Sequence, residues 1–255
     1  MKPTERFSDR VSDYAKYRPS YPSEILPYLS QQTDLASTQI VADVGSGTGI
    51  LTRLLLDFGL TVFAIEPNLP MRNEAELELS AYPKFRSIDG TAENTHLDQN
   101  SVDHIFAAQA FHWFQPEPTR REWLRILKPA GFAYLLWNSP IVDQTPFQIG
   151  YEDIKKHFGT DFNQIFKTYN SSDETKRMFF GGKSPEKKLF SNFQLFDFEG
   201  LKGRLFSSSY MPAKDHPNYK PAVNALDALF QKYQENGQIR MDYVTEVYYG
   251  RLGVE

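Results

Sequence analysis

The chain has 255 residues, 40% of them hydrophobic, which suits one large domain or a domain carrying an insertion. It holds no cysteine, and none of its five histidines stand i, i+4 apart, so disulfides, thiolate chemistry and a dedicated metal site are not expected. The formal net charge is −4 and the basic pairs Arg120-Arg121, Lys155-Lys156 and Lys187-Lys188 are scattered, unlike the basic stripe that phosphate neutralisation demands, so nucleic acid is not the expected partner.

In chain order, Met1 to Arg10 is polar and charged, so no secretory leader is expected there. No later apolar run reaches the length of a membrane span, and a soluble, cytoplasmic protein without a membrane partner is the expectation. Residues 1–39 are punctuated by Pro3, Pro19, Pro22 and Pro27, with a helix predicted over Ser23–Gln32. From residue 40 to 137, short apolar runs alternate with helical stretches. The runs Ile40–Val44, Thr61–Glu66, Lys84–Asp89, Val102–Gln109 and Gly131–Trp137 are too short for buried helices and are read as strands. Ile50–Phe58 is an amphipathic helix stopped by Gly59, and Glu117–Leu127 carries Trp123, Leu124 and Leu127 on one stripe before a turn at Lys128-Pro129-Ala130-Gly131. Strand–helix alternation of this kind implies parallel strands joined by crossover helices, hence a doubly wound α/β sheet.

Beyond it, residues 139–190 read as a helical insertion that includes Tyr151–Phe158 and ends in Gly181-Gly182-Lys183-Ser184-Pro185. A strand is predicted at Phe193–Phe198, resuming through Phe206, then a helix near Lys220–Glu235. A last strand, Tyr243–Tyr249, places Tyr243, Thr245, Val247 and Tyr249 on one face.

The strongest motif is Val41-Ala42-Asp43-Val44-Gly45-Ser46-Gly47-Thr48-Gly49. It follows a predicted strand and opens a predicted helix, where glycines permit a tight turn and let a ligand lie against bare backbone. No Gly-Lys-Ser/Thr closes it, so it is not a phosphate-cradling Walker loop. The dinucleotide spacing G-x-G-x-x-G fails at Ile50, and the third glycine falls instead at Gly49. The second strand ends at Glu66-Pro67-Asn68, and Glu66 lies about 20 residues beyond the glycines, where a carboxylate accepts hydrogen bonds from ribose hydroxyls.

The acid at Asp43 followed by G-x-G-x-G resembles motif I of class I S-adenosylmethionine (SAM)-dependent methyltransferases, and residues 41–136 resemble the methyltransferase-11 type domain. That likeness implies a Rossmann-like, doubly wound seven-stranded sheet with an N-terminal lid (1–39), a SAM-binding core (40–137), a helical insertion (139–190) and C-terminal elements (191–255) completing one methyltransferase domain. It also implies SAM as cofactor and S-adenosylhomocysteine as product, without a metal. Gly45, Ser46, Gly47 and Gly49 would seat the cofactor, Asp43 its ammonium and Glu66, Pro67 and Asn68 its ribose. Met71 would pack on the adenine, although core packing explains a methionine there equally well. Asp89-Gly90-Thr91-Ala92-Glu93 matches the loop that reads the adenine edge, with Thr91 standing where the family usually has Asp; Asp89 or a backbone carbonyl is the substitute. Gln109 matches the position beside the methionine moiety.

The Tyr- and Arg-rich run Arg10–Pro22, with Ala108–Phe114 and Thr245–Tyr249, is similar to small-molecule methyltransferases related to trans-aconitate methyltransferase. In that resemblance the lid closes over SAM, with Arg18 or Tyr17 meeting its carboxylate. The expected activity is methyl transfer to a small-molecule acceptor, at a carboxylate or hydroxyl oxygen, by a monomer or weak homodimer. The alternatives are a C-methyltransferase on a quinone-like or phenolic ring and a SAM-binding protein without turnover. His112 is the candidate general base, with packing between Phe111 and Trp113 as its other role. Arg10, Arg204 and Tyr210 are candidate anion or hydroxyl contacts.

Overall fold

The computed structural model describes residues 16–160, 172–208 and 210–253. The expected contact at Arg10 and the start of the lid lie outside these residues, as does part of the 139–190 insertion. Seven strands form one sheet: β1 (Ile40–Val44), β2 (Thr61–Ile65), β3 (Phe85–Ile88), β4 (Val102–Ala108), β5 (Leu127–Pro140), β6 (Glu186–Phe196) and β7 (Ile239–Gly250). Their order is β3-β2-β1-β4-β5-β7-β6. The first five run parallel, while β7 is antiparallel to both β5 and β6.

Strand alternation sorts the core onto the two faces of this sheet. Ala42, Ile105, Ala133 and Leu135 face one layer with Trp123 and Phe179. Val41, Phe106, Tyr134 and Leu136 face the other with Leu51 and Leu55. On that second face α2 (Ile50–Asp57) buries Leu51, Leu55 and Leu56 at helical spacing, worth roughly 2 kcal/mol per side chain. Helix α1 (Ile25–Gln32) packs Ile25, Leu26 and Leu29 onto the same layer, within the stretch predicted as helical.

Two helices flank the remaining crossovers: α3 (Leu69–Glu78), capped by the Asn68 side chain on the Met71 amide, and α4 (Pro116–Ile126). Between the carboxyl end of β5 and the start of β6 come α5 (Pro146–Phe158), closed by a Thr145–Gln148 capping box, and α6 (Asp173–Phe179). After β6 come α7 (Phe198–Phe206) and α8 (Tyr219–Tyr233). Helices α5, α7 and α8 bury Phe147, Leu205 and Leu226 together with Tyr243 of β7 in a third apolar cluster.

Three expectations change. Lys128–Gly131 is not a turn before β5 but an irregularity within it: Val102 pairs with Leu127, and His104 pairs with Phe132. The extra residues bulge from the ladder, with Lys128 Nζ 2.8 Å from Asp103 Oδ1. The strand predicted at Phe193–Phe198 runs from Glu186 to Phe196 and does not resume through Phe206. Asp197 ends it by capping α7, accepting from the Gly200 amide at 2.7 Å. The last strand begins at Ile239, earlier than the Tyr243 predicted from alternation.

Candidate active site

The carboxyl ends of β1, β2 and β4 meet where the strand order reverses direction, the place at which open α/β sheets form a crevice. A cavity of about 1040 Å³, counting its open mouth, lies there. β1 supplies Asp43 and the turn after it, and β2 leads into Glu66, Pro67, Asn68 and Met71. Thr91, Ala92 and Glu93 come from the loop after β3, and Gln109 ends β4.

The three glycines of the turn all take positive φ (70°, 57° and 84°), but for different reasons. A Cβ on Gly45 would stand 2.6 Å from Ala110 Cβ, and one on Gly49 2.7 Å from Leu79 Cδ1. Those two glycines serve close packing. At Gly47 the nearest atom would be Met71 Sδ at 3.9 Å, so its bare α-carbon faces the cavity.

Glu66 links the two loops. One carboxylate oxygen accepts from the Gly47 amide at 2.9 Å and the other from the Asn68 amide at 2.8 Å. Burial pushes its carboxyl above the ordinary range, opposed by those two amides and by Arg72. Each oxygen keeps a further lone pair, the arrangement that receives a vicinal diol. Asp43 is 1% exposed. Its Oδ2 accepts from the Thr52 hydroxyl at 2.6 Å, while Oδ1 is buried without a partner among the described residues. Burial foremost, with a contribution from the Glu66 charge, pushes Asp43 up to about 7. The buried Thr48 hydroxyl also lacks a partner among the described residues. Orphaned acceptors of this kind are costly unless a ligand completes them.

Gln109 holds φ +54°, a left-handed backbone that costs a non-glycine residue about 1–2 kcal/mol. Its amide donates to Leu136 O and its side-chain Nε2 to Asn138 O, both at 2.9 Å, bending the chain across the cavity rim. The Glu93 carboxylate turns away to receive the Gln115 amide at the start of α4 at 2.9 Å. Asp89, the expected substitute on the adenine edge, is not in the lining. It is exposed and paired with Arg72 at 3.1 Å.

The other predicted residues are elsewhere. Gly49 and Arg18 line a neighbouring cavity that shares Thr48 and Ile50 with the first, and the Arg18 guanidinium donates to Ser207 O at 3.2 Å. The Tyr17 ring lies against Gly203, leaving no room for a Cβ there. His112 sits on the 3₁₀ turn Phe111–Trp113, its ring 4.8 Å from that of Trp113 and outside the lining. Burial lowers it to about 4, so at neutral pH it is a neutral, weakly basic imidazole. Its replacement by Ala is expected to lower the melting temperature while leaving turnover within about threefold, since the ring is buried outside the cavity lining; steady-state kinetics beside a thermal melt checks this.

Sequence reasoning missed Tyr21, Ala110, Trp113 and Phe114 as walls of the cavity. Trp113 and Phe114 belong to the aromatic run after β4, which was the available signal. Tyr21 follows Pro19 and Ser20, whose carbonyls accept from Asn138 Nδ2 at 3.4 and 3.1 Å, so the N-terminal segment is tied to the rim. Among the described residues, no group of His, Asp and Glu side chains could hold a metal ion, and no helix is long and apolar enough to cross a membrane.

Comparison with known proteins defines the class. Residues 42–135 match the methyltransferase domain family. A 133-residue stretch is 39% identical to an uncharacterized methyltransferase of Mycobacterium tuberculosis, and the match spans about half (52%) of each chain. An uncharacterized methyltransferase of Schizosaccharomyces pombe is 23% identical over 95% of both chains. The structure of a protein assigned as a type II methyltransferase from Anaeromyxobacter dehalogenans superposes with a TM-score of 0.63 at 20% identity, covering 92% of this chain and 98% of that one. The seven-stranded sheet is thus the Rossmann-like fold of methyltransferases.

Proposed function

We propose that the protein transfers the methyl group of SAM to an oxygen of a small-molecule acceptor. The observation that carries this reading is the pairing of Glu66 with Asp43 Oδ1 in one cavity. A buried carboxylate with spare lone pairs suits the ribose diol, and a partnerless buried carboxylate oxygen suits an ammonium. Met71 and the bare Gly47 provide a flat, apolar seat between them.

SAM supplies an activated methyl on a sulfonium. The acceptor oxygen forms the new C–O bond as the C–S bond breaks, and the bond pair stays on sulfur as a neutral thioether. The chain's task is therefore to orient and desolvate, which can contribute roughly 7–11 kcal/mol. The glycine turn and Glu66 fix the cofactor end, Gln109 and Asn138 hold the rim, and Tyr21, Trp113 and Phe114 exclude water. A carboxylate acceptor is already ionised and needs no general base, consistent with the position and low basicity of His112.

The test is a methyl-transfer screen of small acids, phenols and quinones, read by S-adenosylhomocysteine release. Turnover with an acid yielding a methyl ester is the expected result. Turnover only with ring carbons would replace this reading by C-methylation, and cofactor binding without turnover by any acceptor would leave a binding protein.

A further inference from the structure

Arg204, on α7, is 8% exposed. Its Nε donates to the Tyr243 hydroxyl at 3.4 Å, and no Asp or Glu among the described residues pairs with it. The guanidinium keeps its charge in any protein environment, and a buried charge without a counter-ion is among the most unfavourable placements for a side chain. Tyr151, which shares the apolar cluster of Tyr243, lies within electrostatic reach of Arg204 and is 4% exposed; it has a buried hydroxyl with no partner among the described residues. The Tyr243 hydroxyl donates to Gln194 Oε1 at 3.0 Å, which leaves its oxygen to face Arg204. A buried cation with no acid paired to it among the described residues, and an orphaned buried donor within its electrostatic reach, are two independent marks of a missing anion.

Their place in the fold says which anion matters. Tyr243 pairs in register with Pro140, the last residue of β5, so the cluster sits above the carboxyl edge of the sheet. Asn138, two residues earlier, receives the Gln109 side chain at the rim of the cavity. Arg18 bonds to Ser207 O, just past Arg204 on the chain, and lines the cavity adjoining the glycine turn.

We propose that Arg204, with the hydroxyl of Tyr151, forms an anchoring subsite for a carboxylate of the acceptor. This rests on the methyltransferase reading, which places the acceptor over that edge. The fork of a guanidinium matches a planar carboxylate through two parallel hydrogen bonds, and the surrounding tyrosines and phenylalanines strengthen the attraction by excluding water. The subsite selects acidic molecules over neutral ones of the same shape. Because it binds and does not react, it is a specificity determinant.

The experiment uses the full chain saturated with S-adenosylhomocysteine, titrated calorimetrically with glutarate, citrate and phenylacetate, each beside its neutral amide. At least one acid is expected to bind where its amide does not. Arg204→Met should weaken that acid about tenfold or more and Tyr151→Phe about threefold, with S-adenosylhomocysteine affinity unchanged within about twofold. The ligand-free Arg204→Met protein should melt no lower than the parent, because an uncompensated charge has been removed. Arg204→Lys keeps the charge but loses the fork, and should lose acid affinity even if the Met variant does not fold. Binding of no acid by the cofactor-loaded protein, unchanged acid affinity in the Lys and Phe variants, or a fall in melting temperature with acid affinity intact would each overturn the proposal. Failure of S-adenosylhomocysteine to bind counts against the methyltransferase reading instead, and the same acids titrated into the ligand-free protein then decide the Arg204 subsite.

Discussion

Replacing Glu66 with Ala is expected to weaken S-adenosylhomocysteine binding by about a hundredfold or more, the largest loss from any single truncation in the cavity. Two effects combine. Charge-assisted hydrogen bonds to a buried carboxylate contribute about 1.5–3 kcal/mol each, and a ribose diol would lose two of them. The same substitution frees the Gly47 and Asn68 amides, which the carboxylate holds at 2.9 and 2.8 Å, so the glycine turn and the start of α3 lose their common tie. Glu66→Gln separates the effects. It retains one acceptor oxygen and should recover part of the affinity, whereas Gly47→Val leaves Glu66 in place and blocks the seat directly. A branched side chain at Gly47 also meets a backbone held at φ +57°, which L-residues resist. Calorimetry reads the affinity, with NAD as the silent specificity control, and a thermal melt of each variant distinguishes loss of the site from loss of the fold. Unchanged affinity in both Glu66→Ala and Gly47→Val would remove the site from the cavity altogether.

The part of this site that was legible in the sequence is the part built from one short stretch at a time. β1, β2 and β4 are buried on both faces and so appear as unbroken apolar runs, and the glycines after β1 name their own turn. The C-terminal strands obey different rules. β6 lies at the sheet edge with Lys187, Lys188, Leu189 and Phe193 exposed, so its charged first half carried no apolar signal. Phe198–Phe206 follows directly on a predicted strand and ends on phenylalanine, but the Asp197 cap and the burial of Leu201 and Leu205 on one stripe make it helical. The convergence of Tyr21, Trp113 and Phe114 on the cavity, and of Arg204, Tyr151 and Tyr243 on one another, joins residues from distant segments. No local pattern encodes such contacts. Arg204 was recognisable as a candidate only by type, and what marks it in the folded chain is that no acid among the described residues pairs with it.

Asp43 leads to a pH dependence of cofactor binding whose sign follows from its surroundings. Burial above all holds its carboxyl up at about 7 in the ligand-free protein. Above that pH the side chain is anionic and its partnerless Oδ1 can receive an ammonium; below it the side chain is neutral and a proton must leave when the ammonium binds. Affinity for S-adenosylhomocysteine is therefore expected to fall as pH drops below about 7, approaching tenfold per pH unit, as linkage to one proton requires. The ligand's own amino group stays protonated through that range, so only the protein contributes. Methylthioadenosine is the control: that molecule has the ribose but no amino acid, so its profile omits the contact with Asp43. The difference between the two ligands should vanish in Asp43→Asn. The stability of the ligand-free protein runs the opposite way. A carboxyl whose folded pKa is raised binds its proton more tightly folded than unfolded, so its contribution is full below about 4 and is lost as pH rises through about 7. Asp43→Asn should accordingly raise the melting temperature at pH 8 while lowering cofactor affinity there. A variant that loses both stability and affinity, or a parent whose affinity is flat from pH 5 to 8, would mean that Asp43 supports the turn and never meets the ammonium.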